Sequence, residues 1–254
     1  MSSPTWTPAA LASESAPYEG RGWRFVEAQH RVSTLKLVDT LEEQRILERL
    51  LEMTKPLIPE DCRHLDYLLA TPFRYDATPR TGSRFRRPGR AGGVFYASEE
   101  SETAVSEIVF YRLLFFAESP GTPWPKEAVE YTGFSVALSV DRAIDLMVSP
   151  FVECRATWIH PTRYEPCQEL ADAARSARLA LIRYESARAP RAGVNLDVLV
   201  CRAFSEPRPI ERHTWRIRIG AAGAQALCEF PRRDLEFPPG TFTDPRLALL
   251  ERPR

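Results

Sequence analysis

The sequence predicts an α+β fold. Helical apolar spacing dominates its first half, and most of its second half alternates apolar with polar residues, with one helix interposed. A regular strand–helix–strand alternation is missing. The 254 residues are enough for a sizeable core, and the loop at 118–127 is too short to be a linker.

Residues 1–20, rich in Ser, Ala and Pro, are expected to be a disordered tail, and 21–70 a helical N-terminal extension. Thr40 and Glu43 form a capping box that opens a helix over 39–55, ended by Pro56. Its stripe of Leu41, Ile46, Leu47, Leu50 and Leu51 reads as core packing. A catalytic domain is expected over 71–235 and a surface tail over 236–254. Val94–Ala97, bounded by glycines and SEESE, reads as a strand, and Ser98 or Ser101 caps a helix to about 117. Phe134, Val136, Leu138 and Val140 alternate as a half-buried strand, with a further strand at Ala143–Met147. Pro166 starts a helix to about 177, and strands follow at 179–184, 197–203, 210–218 and 225–230. From 231 the chain is proline-rich and reads as a surface wrap.

Lys plus Arg equals Asp plus Glu, so no global basic field marks a nucleic-acid binder. Nearly all the positive charge is arginine, which grips phosphate in a bidentate fork. The five cysteines are odd in number and show no C-x-x-C spacing, so a disulfide framework is not expected and a reducing, cytoplasmic location is. The four scattered histidines complete no metal site. No apolar run approaches the roughly 20 residues that span a bilayer, and the N-terminus lacks the charged and apolar regions of a secretory signal.

The stretch GSRFRRPGRAGGVFYAS, residues 82–98, sets arginines between glycines and then enters a strand. Such a loop has no regular structure, but its amides and guanidiniums can converge on an anion. From the spacing alone, a flexible basic loop is the simpler reading.

The runs TPFRYDATPRTGSRFR, GGVFYASEESETAVSEIVFYR and IRYESARAPRAGVNLDVLVCRAF, in this order, resemble the RES domain family. The block WRFVEAQHRVSTLKLVDTLEEQRILERLLEMTKP resembles the N-terminal extension of its longer members. The resemblance implies a mixed sheet core like that of ADP-ribosyltransferases, with flanking helices. It implies an NAD-consuming toxin that cleaves the nicotinamide–ribose bond. The expected reaction is phosphorolysis to nicotinamide and ADP-ribose 1″-phosphate, making the protein an NAD phosphorylase of the glycosyltransferase type. NAD would be the substrate and inorganic phosphate the co-substrate, with no separate cofactor or metal. The partner would be a helix-turn-helix antitoxin, with no membrane and no direct nucleic-acid contact.

Carried over by motif, Arg84, Tyr96 and Glu107 are the expected catalytic residues. Arg74, Tyr75, Ser186 and Asn195 are the expected substrate-binding residues. Arginines suit a pyrophosphate, and a carboxylate suits the oxocarbenium-like state of sugar–base cleavage. From spacing alone, Glu107 is more simply a solvated helix glutamate; Ser186 suits a donor to ribose or phosphate, with a strand-end turn residue as the alternative, and Asn195 suits a turn equally well. Tyr96 and Tyr75 suit a ring-covering role or core packing equally. Here GSRF runs into RRPGR, where relatives more often have glycine, and Glu165 replaces a small polar residue. Two further readings are a protein ADP-ribosyltransferase using the same cleft, and a polyanion-binding module. The latter would use the arginines of 84–90 with Phe85, Phe95 and Tyr96 as stacking platforms.

Overall fold

A computed structural model describes residues 6–27, 37–74, 82–89 and 92–251. Its helices are α1 (Pro8–Ser13), α2 (Leu41–Met53), α3 (Tyr67–Ala70), α4 (Ser101–Glu118), α5 (Arg155–Trp158) and α6 (Glu165–Ser176). Its strands are β1 (Ala16–Glu27), β2 (Phe95–Ser98), β3 (Val129–Asp145), β4 (Leu181–Glu185), β5 (Val194–Val198), β6 (Glu211–Gly220), β7 (Gly223–Cys228) and β8 (Arg233–Phe237). The fold is α+β, with a mixed eight-stranded sheet and helices packed on it.

The strand order is β1-β2-β5-β4-β3-β6-β7-β8, and β1 also pairs with β3. The first five strands therefore close on themselves. Their interior holds Phe95, Ala97, Phe134, Val136, Leu138, Leu181, Leu196 and Val198. The alternation expected at 134–140 is thus the inward face of a longer strand. β3 runs through Ala143–Asp145, where its pairing with β4 is parallel, so no separate strand begins there. A second core packs α1 and α6 against Ile182 and Tyr184 of β4, with Phe85 and Trp158. A third packs Val105 and Val109 of α4 against Trp215, Ile217 and Ala226.

Several expectations need correction. Residues 8–20 are not a disordered tail: α1 buries Leu11 completely, and β1 pairs with β3 from Tyr18↔Val140 to Glu27↔Tyr131. Gly20 and Gly22 hid this strand, because glycine weakens strand patterns. Here glycine permits close approach, and a Cβ on Gly22 would lie 3.0 Å from that of Ala97. The stripe on α2 is not core: the helix buries no residue, and Leu41, Ile46, Leu50 and Leu51 are exposed. Amphipathic spacing shows that a helix has an apolar face, not that its own chain covers it. The strand placed at 197–203 is displaced to Val194–Val198 and followed by a turn of 3₁₀ helix at Cys201–Ala203. The wrap after 231 contains β8, which extends the sheet beside β7.

Cys62 and Cys201, separated by 139 positions, form a disulfide with Cα atoms 5.4 Å apart, against the expectation of no disulfide. Nothing in the local spacing of the cysteines signals a bridge formed only by the tertiary fold. Among the described residues the group with metal-ligand geometry is Asp61, Cys62 and Cys201, whose sulfurs are committed to each other. No helix of the described residues is long and apolar enough to cross a membrane.

Candidate functional site

Strand alternation assembles the site. Ser98, Asn195 and Tyr184 pair across β2, β5 and β4, as do Tyr96, Asp197 and Ile182 two positions away. Period-two geometry puts both rows on one face of the sheet and sends Phe95, Ala97, Leu196 and Val198 to the opposite, interior face. Helix α4 lies across the polar face. Its residues Ala104, Glu107, Ile108, Tyr111, Leu114 and Glu118 recur at helical spacing along one wall of a cleft of about 640 Å³. Tyr96, Tyr184 and Asn195 form the floor, and Trp23, Arg24 and Phe25 of β1 close one side.

Glu107 is the centre of a hydrogen-bond network. Its Oε1 accepts from Ser186 Oγ at 2.6 Å and from Asn195 Nδ2 at 2.7 Å. Asn195 is itself held, since its Oδ1 accepts from Ser98 Oγ at 2.7 Å. Ser186 Oγ accepts from the backbone amides of Arg188 and Ala189 at 3.1 and 3.0 Å, which orients its proton toward Glu107. The carboxylate is thereby gripped through one oxygen, and Oε2 accepts from no described residue. A preoriented acceptor beside an open cleft is what stabilising a developing positive charge requires.

Arg84 lines the same cleft. Its Nη1 donates to the carbonyls of Trp158 and His160 at 2.6 and 3.0 Å, and its guanidinium lies 4.7 Å from the centre of the Tyr164 ring. Burial opposes its charge, but Tyr184, Cys167, Tyr164 and Glu107 outweigh that effect and raise its pKa, so it remains a cation. The loop bearing it is fixed. Ser83 and Arg86 exchange backbone hydrogen bonds, and Gln168 of α6 donates to both of their carbonyls. Tyr96 pins the loop from below, its hydroxyl 2.6 Å from Ser83 Oγ and accepting from the Phe85 amide at 3.3 Å. Burial, then the nearby Asp197, raises the Tyr96 phenol, so it stays neutral. Burial likewise pushes the Cys167 thiol beside Arg84 up to about 11, which leaves it inert as a nucleophile near neutrality.

Arg74 is not brought to this cleft. It is buried beside α2, ion-paired with Glu52 and 5.4 Å from the centre of the Tyr67 ring. Tyr75 and Arg90 lie outside the described residues. Phe85 and Phe95 are completely buried, which removes them as stacking platforms for a polyanion.

Sequence reasoning missed Arg188, Arg246 and Asp197. Arg188 stood in the Y-x-S-x-R run whose serine was singled out, and spacing gave no reason to prefer one over the other. Arg246 sits in the proline-rich tail, with no local signal at all. Asp197 is fully buried with neither carboxylate oxygen hydrogen-bonded. Burial drives its pKa well above the carboxylate range. Tyr184, Arg84 and Arg175 pull the other way without cancelling that effect.

Comparison with known proteins gives one family. The model of the RES domain matches residues 58–219. Among curated proteins none matches. Among solved structures, the M. tuberculosis MbcT–MbcA toxin–antitoxin complex includes a similar chain, with 13% identity over 95% of this chain and 94% of that one and a TM-score of 0.43.

Proposed function

This chain belongs to the RES domain family, and from that premise we propose that it is an NAD-consuming enzyme that breaks the nicotinamide–ribose bond. The observation carrying the proposal is the Glu107 carboxylate, held by Ser186 and Asn195 on the wall of a cleft that four arginines also line. The sugar carbon becomes electron-poor as nicotinamide leaves with the bonding pair. Glu107 stabilises that charge, while guanidiniums hold the pyrophosphate that connects the ribose to the adenosine half. An oxygen of inorganic phosphate then bonds to the same carbon, giving ADP-ribose 1″-phosphate and releasing a proton to solvent. Arg84, Arg24, Arg188 and Arg246 against Glu107 and Glu118 give the cleft wall an excess of positive charge suited to both anions.

Uncontrolled loss of NAD is lethal, so this activity requires restraint. A protein antitoxin that occupies the cleft meets that need, and co-purification with the product of an adjacent reading frame tests for one. The reaction itself is tested by incubating the purified chain with NAD, with and without phosphate. Phosphate-dependent release of nicotinamide, with a soluble sugar phosphate, supports phosphorolysis. Label retained on protein assigns the same cleft to ADP-ribose transfer. No nicotinamide release under either condition rejects the reading.

A further inference from the structure

We propose that the C-terminal segment supplies a phosphate-binding arm of the cleft, with Arg246 as a substrate-positioning residue beside Arg188. The proposal rests on the dinucleotide reading above and extends it beyond residues 58–219, the span matched by the family model. Arg246 stands on the 3₁₀ segment Pro245–Glu251 and lines the same cleft as Glu107.

One buried carboxylate holds both arginines. The Asp244 side chain is 0% exposed. Arg246 donates through Nε to Oδ1 at 3.0 Å and through Nη2 to Oδ2 at 2.8 Å, while Arg188 Nη1 lies 2.8 Å from Oδ2. Both guanidiniums also donate to the Pro161 carbonyl and lie over the Phe110 ring, at 4.0 Å for Arg188 and 5.7 Å for Arg246. Burial works against the charge on Asp244. The hydrogen bonds from Arg246 and the field of Arg188 outweigh it and hold that carboxyl below its ordinary range.

The count of charges then points to a ligand. Two guanidiniums share one carboxylate, which leaves an excess positive charge. Arg188 and Arg246 line the cleft, and Asp244 does not. Arg188 is 5% exposed, and its Nε is buried with no hydrogen-bond partner. Asp244 occupies Nε and Nη2 of Arg246 and leaves Nη1 uncommitted to it. A forked cation already fixed in place, beside a second guanidinium that shares its one carboxylate, is preorganised for a phosphate oxyanion. In the proposed reaction that oxyanion belongs either to the pyrophosphate of NAD or to the incoming phosphate.

The test compares wild type, Arg246→Ala, Arg246→Lys and Arg208→Ala, an exposed arginine used as a control. Initial rates of nicotinamide release are measured against NAD and against phosphate, with melting temperatures and calorimetric titration of inorganic pyrophosphate alongside. Arg246→Ala is expected to raise one KM about tenfold, the loss of one charge-assisted contact, with kcat changed less than about twofold. Arg246→Lys should recover part of the loss, and Arg208→Ala should match wild type. A rise in the NAD KM assigns the arm to the pyrophosphate, and a rise in the phosphate KM assigns it to the co-substrate. Unchanged KM for both substrates overturns the proposal. If Arg246→Ala fails to fold, Arg246→Lys, which keeps the charge and loses the fork, carries the comparison. If wild type releases no nicotinamide, the proposed reaction falls. The arm is then judged by pyrophosphate affinity, which should weaken about tenfold in the variant and overturns the proposal if it does not.

Discussion

Asn195 Nδ2 donates to Glu107 Oε1 at 2.7 Å across 88 positions of sequence. The contact joins the floor of the cleft to its helical wall and fixes the direction in which the carboxylate presents its other oxygen. Asn195→Ala leaves Ser186 as the remaining ligand of Oε1. Loss of one hydrogen bond to a charged group, worth about 1.5 kcal/mol, should lower kcat for nicotinamide release about tenfold. A fall in kcat with little change in KM identifies a positioning role; a change in KM alone contradicts it.

Asp197 should make stability depend on pH in an unusual direction. Its folded-state pKa is raised, so the folded protein keeps a proton that the unfolded chain gives up above about pH 4. Stability from this group is therefore fully present below the unfolded value and falls as pH rises through the folded one. Asp197→Asn keeps the shape and removes the titration. Melting temperatures recorded from about pH 4 to about pH 8 should fall less steeply with pH for the variant than for wild type. Parallel profiles would show that Asp197 is not the protonated group.

The Cys62–Cys201 bridge closes a loop spanning 139 positions and ties the turn after α2 to the segment after β5. Replacing both cysteines with serine, or reducing the wild type, should lower stability by about 2–4 kcal/mol. Denaturant melts with and without reductant measure it. Identical midpoints would mean that the bridge is not formed in solution.

Gly93→Ala should destabilise the basic loop's attachment. An added Cβ would lie 2.0 Å from the Pro72 carbonyl oxygen, so the backbone of residues 92–93 and 72–73 would have to separate. A loss on the order of 2 kcal/mol or more is expected, read as a lowered melting midpoint. An unchanged midpoint would show that the two segments are not in contact.

The fold class was legible because it follows local rules, whereas the site residues came from the family resemblance. Alternation announced β3 and Pro166 announced α6, whereas the serine cap expected for α4 does not form: Glu100 precedes its first turn without a side-chain cap bond. The motif order then singled out Glu107, Ser186 and Asn195, which the fold joins. What escaped depends on distant partners. β1 was hidden by Gly20 and Gly22, and the purpose of Gly22 appears only when Ala97 lies against it. The stripe on α2 looked like core and is exposed. Arg74 was grouped with the cleft by motif, yet its partner is Glu52. Arg246 reaches the cleft only because Asp244, two residues earlier, is buried against Arg188.

The most direct test is steady-state nicotinamide release by Glu107→Gln, which keeps the side chain's shape and removes its charge. The account predicts a fall in kcat of about 10²-fold or more, with the melting temperature and the affinity for NAD close to wild type. A variant that retains most of its rate would contradict the role of Glu107 and, with it, the proposed mechanism.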